Sequence, residues 1–106
     1  MKSEFGGKIV IVTGGAAGLG RAMCLEFARL GARVVCGDID AKAGAELLGL
    51  AVGLAGQIHF VEGDMRRAET CDRLVESARA LGGVDVLCNN VGIQPAKSYV
   101  PAHELD

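Results

Sequence analysis

The apolar run Ile9-Val10-Ile11-Val12 leads straight into Thr13-Gly14-Gly15-Ala16-Ala17-Gly18-Leu19-Gly20, and a helix-compatible segment follows from Arg21. A strand, a glycine-rich turn and a helix in immediate succession constrain the fold more than any other feature of this chain. Gly14, Gly18 and Gly20 allow a tight turn and let a ligand approach the backbone without Cβ atoms between them. They also aim the unpaired N–H groups of a helix's first turn at one point, which is a seat for a phosphate. A glycine turn alone is a weak signal, because many bind nothing. The order of the segments around it carries the weight.

Residues 1–7 read as a polar lead. Residues 8–13 predict a first strand whose apolar positions are consecutive rather than alternating, as in a parallel sheet covered on both faces. The spacing predicts a helix over 18–30, with Leu19, Met23, Phe27 and Leu30 as its core stripe and Gly31 as its stop. Residues 33–37 form a second short strand that ends on Asp38. Asp40 is a good N-cap for a helix over 41–54, although Gly44, Gly49 and Gly53 each weaken it by about 1 kcal/mol relative to Ala. A third strand over 57–62 closes on Gly63-Asp64. A third helix follows over 68–81, with Cys71, Leu74, Val75 and Ala78 on one face and Gly82-Gly83 at its end. A fourth strand over 84–88 leads into Asn89-Asn90-Val91-Gly92. Residues 93–106, with Pro95 and Pro101, form an irregular tail in which His103-Glu104-Leu105-Asp106 resembles the start of a further helix.

Alternating strands and helices imply an α/β fold, a doubly wound parallel sheet with right-handed crossovers. With strand order 3-2-1-4, the ligand crevice falls between strands one and four, outside their carboxyl ends. The turn at 13–20 and the segment 89–92 then form its two walls.

Composition narrows the alternatives. The chain has 106 residues, enough for one small domain, and a chain of this size buries roughly 65% of its unfolded surface. Half of its residues are hydrophobic and its mean hydropathy is +0.32, which suggests a core larger than the chain itself covers. Eleven basic and 13 acidic residues give a net charge of −2 with no long run of one sign, so neither a nucleic acid nor a membrane surface is an expected partner. Cys24, Cys36, Cys71 and Cys88 are widely spaced, and His59 and His103 have no partner at ligand spacing. The expectation is therefore buried reduced thiols and no metal site. No signal peptide is legible, and the most apolar longer window, 47–56, is too short to span a bilayer. A cytoplasmic location is expected.

Asp38 stands 18 residues after Gly20, at the end of the second strand, where a carboxylate can accept hydrogen bonds from both hydroxyls of an adenosine ribose. It would repel a 2′-phosphate by about a few kcal/mol at an intermediate dielectric. No basic residue occupies Ala17 or Ile39, beside that ribose site, to offset this, so NAD is favoured over NADP. Competing phosphate motifs fail at particular positions. A Walker loop would need Lys-Ser/Thr where Arg21-Ala22 stand, and Met23 occupies the third glycine of Gly-x-Gly-x-x-Gly. What remains is Thr-Gly-x-x-x-Gly-x-Gly.

Thr13-Gly14-x-x-x-Gly18-Leu19-Gly20, Asp38, Gly63-Asp64-Met65 and Asn89-Asn90-Val91-Gly92, in that order at four strand ends, resemble the N-terminal half of the short-chain dehydrogenase/reductase family. The resemblance covers residues 6 to about 95, with Val91 in place of the family's usual alanine. It implies a Rossmann-type sheet, with Gly14, Gly18, Leu19 and Gly20 along the pyrophosphate of the cofactor and Asp38 and Ile39 at the adenosine ribose. Asp64 and Met65 would lie at the adenine and Asn90 close to the cofactor, with Asn89 tying the central strands together. Arg66-Arg67 replace the polar cap expected before the third helix.

The resemblance also implies an oxidoreductase that moves hydride between a nicotinamide cofactor and a small alcohol or carbonyl substrate, in a parent that forms homo-oligomers. The family's Ser, Tyr and Lys fall beyond the position of Asp106. Tyr99 is no substitute, since His103 occupies the place four residues on, and no catalytic residue is assigned. Residues 1–106 are thus expected to be a single truncated NAD(P)-binding domain, inactive alone. The alternative is a stand-alone nucleotide-binding or oligomerisation module that associates through the exposed edge of its fourth strand.

Overall fold

The computed structural model describes residues 4–90. Four strands, β1 (Ile9–Thr13), β2 (Arg33–Asp38), β3 (Gln57–Glu62) and β4 (Val86–Asn89), alternate with three helices, α1 (Gly18–Arg29), α2 (Ala41–Leu50) and α3 (Ala68–Leu81). The sheet is parallel with order β3-β2-β1-β4. The order reverses between β1 and β4, the kind of point at which such sheets bind ligands outside their carboxyl ends; the cavity at the strand ends is nevertheless lined from the β1, β2 and β3 loops, with neither Asn89 nor Asn90 in its wall. Val91, Gly92 and the tail 93–106 lie outside the described residues.

The consecutive apolar residues of β1 are all buried, because helices cover both of its faces. On one face Val10, Val12, Val34 and Cys36 pack with Cys24 and Ala28 of α1 and Leu47 of α2. On the other, Ile9, Ile11 and Val35 meet Leu74 and Ala78 of α3. Central β1 joins these layers, which fixes the carboxyl ends of β1 and β2 relative to the first turn of α1.

Five local expectations need correction. In α1 the fully buried stripe is Gly20, Cys24 and Ala28; of the expected stripe Met23 and Phe27 are half-buried against the same core, and Leu19 is 61% exposed. Small residues face the sheet because α1 lies close against it: a Cβ at Gly20 would run into the Gly14 carbonyl oxygen. Helix α2 stops at Leu50 rather than 54, and Gly53 adopts a positive φ of 88°, which a continuing helix excludes. Strand β4 begins at Val86 rather than 84, because Asp85 turns its carboxylate onto the Ile9 N–H at 2.8 Å. In α3 the inward residues are Thr70, Leu74 and Ala78, while Cys71 is exposed and Cys88 half-buried, so only Cys24 and Cys36 are the buried thiols expected.

The caps follow the sequence more closely. The Asp40 carboxylate accepts from the Ala43 N–H at 3.0 Å, and Gly31 and Gly82 end α1 and α3 with positive φ. Gly44 has a packing reason within α2: the Phe60 ring of β3 fills the place its Cβ would take. Arg67 offers no side-chain cap to α3, which nevertheless starts at Ala68.

Candidate functional site

The turn after β1 is stitched to its neighbours before any ligand is considered. The Gly14 N–H donates to the Gly37 carbonyl at 2.7 Å and the Gly15 N–H to the same oxygen at 3.3 Å. From the β4 side, the Asn90 side-chain amide donates to the Gly14 carbonyl at 3.0 Å. The Thr13 hydroxyl donates to Asn89 Oδ1 at 2.8 Å and accepts from the Asn90 N–H at 3.0 Å. Asn89 and Thr13 therefore lock the carboxyl ends of β1 and β4 together, while Asn90 holds the turn from below.

Beyond these ties the turn opens. Ala17, the N-cap of α1, provides no side-chain acceptor, and the first N–H groups of any helix have no carbonyl one turn back to bond. Ala17, Gly18 and Leu19 are exposed and Gly20 is buried behind them. Gly18 has a φ of 57° with open space where a Cβ would be. The positive end of α1 is thus presented bare, which suits an anion.

Asp38 reaches the same turn. Its Oδ2 accepts from the Ala16 N–H at 3.0 Å and its Oδ1 from the Asp40 N–H at 3.0 Å. Each oxygen keeps further lone-pair capacity, so the carboxylate both braces the turn and remains able to accept from outside.

Three loops converge beside it. A cavity of about 320 Å³ is lined by Gly14 after β1, Asp38 and Ile39 after β2, and Asp64, Met65 and Arg66 after β3. Asp64 takes Arg66 in a two-point ion pair, Nε to Oδ1 at 3.1 Å and Nη2 to Oδ2 at 2.9 Å, and also accepts from the Arg66 N–H at 2.9 Å. The Arg66 hydrogen bonds hold the Asp64 carboxyl down at about 2, well below the usual carboxylate range, and raise the guanidinium in turn.

Behind the turn, a Cβ on Gly15 would meet the sulfurs of Cys36 and Cys24 at 2.7 and 2.9 Å. The Cys24 thiol is pushed far up by its hydrogen bond with Cys36 and by burial, so it packs as a neutral group. A separate apolar cavity of about 400 Å³ lies on the α3 face of β1 and β4, with Leu74, Val75, Leu87 and Met65 among its lining.

Of the residues singled out from the sequence, Gly14, Asp38, Ile39, Asp64 and Met65 share one cavity. Ala17, Gly18 and Leu19 form the bare helix end next to the turn, and Gly20 and Asn90 lie beneath it. Sequence reasoning missed two contributors. Gly37 supplies the carbonyl that holds the turn, and lacks a Cβ because the side chains of Leu74 and Met65 fill that space. Arg66, which in the sequence bears only on the start of α3, forms a wall of the cavity. Its position two residues after Asp64 was the available signal, since Asx-type local pairing brings such a residue back on itself. Among the described residues no group of His, Cys, Asp and Glu could hold a metal ion, and no helix is long and apolar enough to cross a membrane.

The short chain dehydrogenase family model matches residues 8–106. The chain belongs to that family. It is 45% identical over 96 residues to a hydroxyacyl-CoA dehydrogenase of Mycobacterium tuberculosis, covering 86% of this chain and 30% of that protein. An uncharacterised oxidoreductase of Thermotoga maritima is 35% identical over 104 residues, covering 97% of this chain and 41% of its own length. Among solved structures, L-sorbose reductase from Gluconobacter frateurii, complexed with NADPH and L-sorbose, superposes with a TM-score of 0.79 at 27% identity, covering 97% of this chain and 41% of that one. A short chain dehydrogenase from Bacillus anthracis gives 0.73 at 34% identity, covering 86% and 38%. The chain spans well under half the length of each of these relatives.

Proposed function

We propose that this chain is the dinucleotide-binding segment of a nicotinamide-dependent oxidoreductase acting on an alcohol or carbonyl carbon, and that it prefers NAD. The observation that carries the reading is the convergence of three strand-end loops on one cavity beside the uncapped start of α1, with the Asp38 carboxylate at their junction.

The residues present fit such a group. The bare first turn of α1 suits the pyrophosphate, and Gly18 leaves room for close approach. Asp38 has acceptor capacity left for ribose hydroxyls, and Ile39 and Met65 offer apolar surface to a base. When bound, the cofactor supplies the hydride chemistry. The residues of this chain bind and orient it: Asn90 and Gly37 hold the turn in shape, Asp38 selects an unphosphorylated ribose, and Gly20 allows α1 to lie close beneath. The proton-transfer residues and the substrate site belong to the parent protein's remaining length, so the segment alone performs no turnover.

Calorimetric titration of the chain with NAD and NADP tests this reading, with saturable NAD binding and weaker NADP binding expected. Equal affinities would refute the preference, and steady NAD-dependent alcohol oxidation by the 106-residue chain would refute the assignment of catalysis to the rest of the parent.

A second reading, a module that associates through its sheet, draws on one observation: β4 is the edge strand next to β1, and its Leu87 is 62% exposed. Light scattering separates the two, since a stable monomer that binds NAD contradicts association through β4.

A further inference from the structure

Arg66 has no role in the family pattern described above, yet it lines the same cavity as Asp38, Ile39 and Met65. Its side chain is 84% exposed, while that of its partner Asp64 is 22% exposed. A freely exposed arginine would sample many rotamers. This one is held by three hydrogen bonds to a single carboxylate, one from its own backbone N–H and two from adjacent guanidinium nitrogens. The two parallel side-chain bonds favour a coplanar arrangement of guanidinium and carboxylate. The loop thereby presents a flat, pre-oriented cation at the cavity rim, with little entropy left to lose when a ring settles on it.

We infer that Arg66 is a binding residue for the base of the nucleotide, its guanidinium plane stacking on a purine ring, with Asp64 as the positioning residue that holds the plane. This inference rests on the dinucleotide reading of the cavity and adds to it the group that grips the base. A 2′-phosphate is the competing partner for the same cation. Two features weigh against it: Asp64 already occupies the Nε–Nη2 edge of the guanidinium, which leaves only Nη1 and one Nη2 N–H for a phosphate, and Asp38 and Asp64 together outnumber the single Arg66 on the cavity wall. The π face needs neither a free edge nor a net positive site.

The test is calorimetric titration of the chain with AMP, NAD and NADP, comparing the wild type with Arg66→Ala and Arg66→Lys. Because the side chain is exposed, neither variant should disturb the fold, and an unchanged circular dichroism spectrum at the titration temperature checks this. Loss of the stacked plane should weaken all three nucleotides by the same factor, roughly three- to tenfold for a contact of this kind. Arg66→Lys should behave like Arg66→Ala, since lysine keeps the charge but not the plane. Unchanged AMP affinity in Arg66→Ala, with a wild type that binds AMP, overturns the inference and leaves the dinucleotide reading intact. A loss confined to NADP, or full rescue by lysine, overturns it in favour of a phosphate contact. A wild-type chain that binds none of the three overturns both.

Discussion

Replacing Gly20 with Ala probes the packing on which the site depends. A Cβ at this position would be driven into the Gly14 carbonyl oxygen, would lie 2.7 Å from the Gly15 Cα and would come within 2.9 Å of the Asn90 side-chain nitrogen. Two of these obstacles are backbone atoms of the turn itself. The turn cannot retreat cheaply, because Gly14 is fixed at both ends: its N–H bonds Gly37 at 2.7 Å and its carbonyl bonds Asn90 at 3.0 Å.

Overpacking of this kind costs about 1–3 kcal/mol and occasionally more, and losing the Asn90 bond adds about 1 kcal/mol. The better helix propensity of Ala returns about 1 kcal/mol. With backbone as the obstacle the upper end applies, so Gly20→Ala should destabilise the chain by about 3 kcal/mol. That is a large share of a small domain's stability. Gly49 is the matched control: it lies within α2 with nothing within 4 Å of its Cβ position, so Gly49→Ala should stabilise by up to about 1 kcal/mol. Urea unfolding followed by circular dichroism measures both. A Gly20→Ala variant within about 0.5 kcal/mol of wild type, at unchanged m-value, would refute the close approach of α1 to the turn.

Further outcomes follow from the same geometry. Asp38→Ala should narrow the gap between NAD and NADP affinity and also speed hydrogen exchange of the Ala16 amide, whose acceptor it removes; an unchanged affinity ratio by calorimetry would take Asp38 out of the ribose site. The folded pKa of Asp64 is depressed to about 2, so the stability contributed by its pair with Arg66 is present above the unfolded carboxyl value of about 4 and lost as pH falls through about 2. A carboxyl-carbon NMR titration should find that low midpoint and Arg66→Ala should return it towards the ordinary value, whereas a wild-type midpoint near 4 would contradict the pairing. A thiol reagent applied to the native chain should label Cys71 first and reach Cys24 and Cys36 only on unfolding; early labelling of Cys24 would contradict its burial.

What the sequence disclosed and what it withheld divide along physical lines. The sheet was legible because Ile9 to Val12 and Val34 to Cys36 are consecutive apolar runs that end at Thr13-Gly14 and Asp38, and strands buried on both faces are written in that way. Periodicity was a partial guide in α1, where counting large apolar residues selects Met23 and Phe27, which pack against the core, but also Leu19, which is exposed. The face that meets the sheet is the small one, Gly20, Cys24 and Ala28, because distance of approach, not hydrophobicity, decides which side of this helix turns inward. The end of α2 was hidden for a related reason: Gly44 is used for contact with Phe60 and Gly53 for a positive φ, and composition cannot tell these uses apart. In the site, motif residues were legible one strand end at a time. The tie from Asp38 to Ala16 and the Gly37 carbonyl beneath the turn depend on loops from different strands meeting, which spacing along the chain does not encode.

The central claim is that the turn after β1, the carboxylate after β2 and the loop after β3 form one dinucleotide cradle. A residue-resolved NMR titration of the ¹⁵N-labelled chain with NAD tests it most directly. Saturable shifts, sharing one dissociation constant, are expected at the amides of Gly14, Gly18, Leu19, Gly20, Ile39, Met65 and Arg66, while β3 residues such as His59 on the far edge stay fixed. Shifts absent from the turn, or confined to the apolar cavity around Val75 and Leu87, would contradict it.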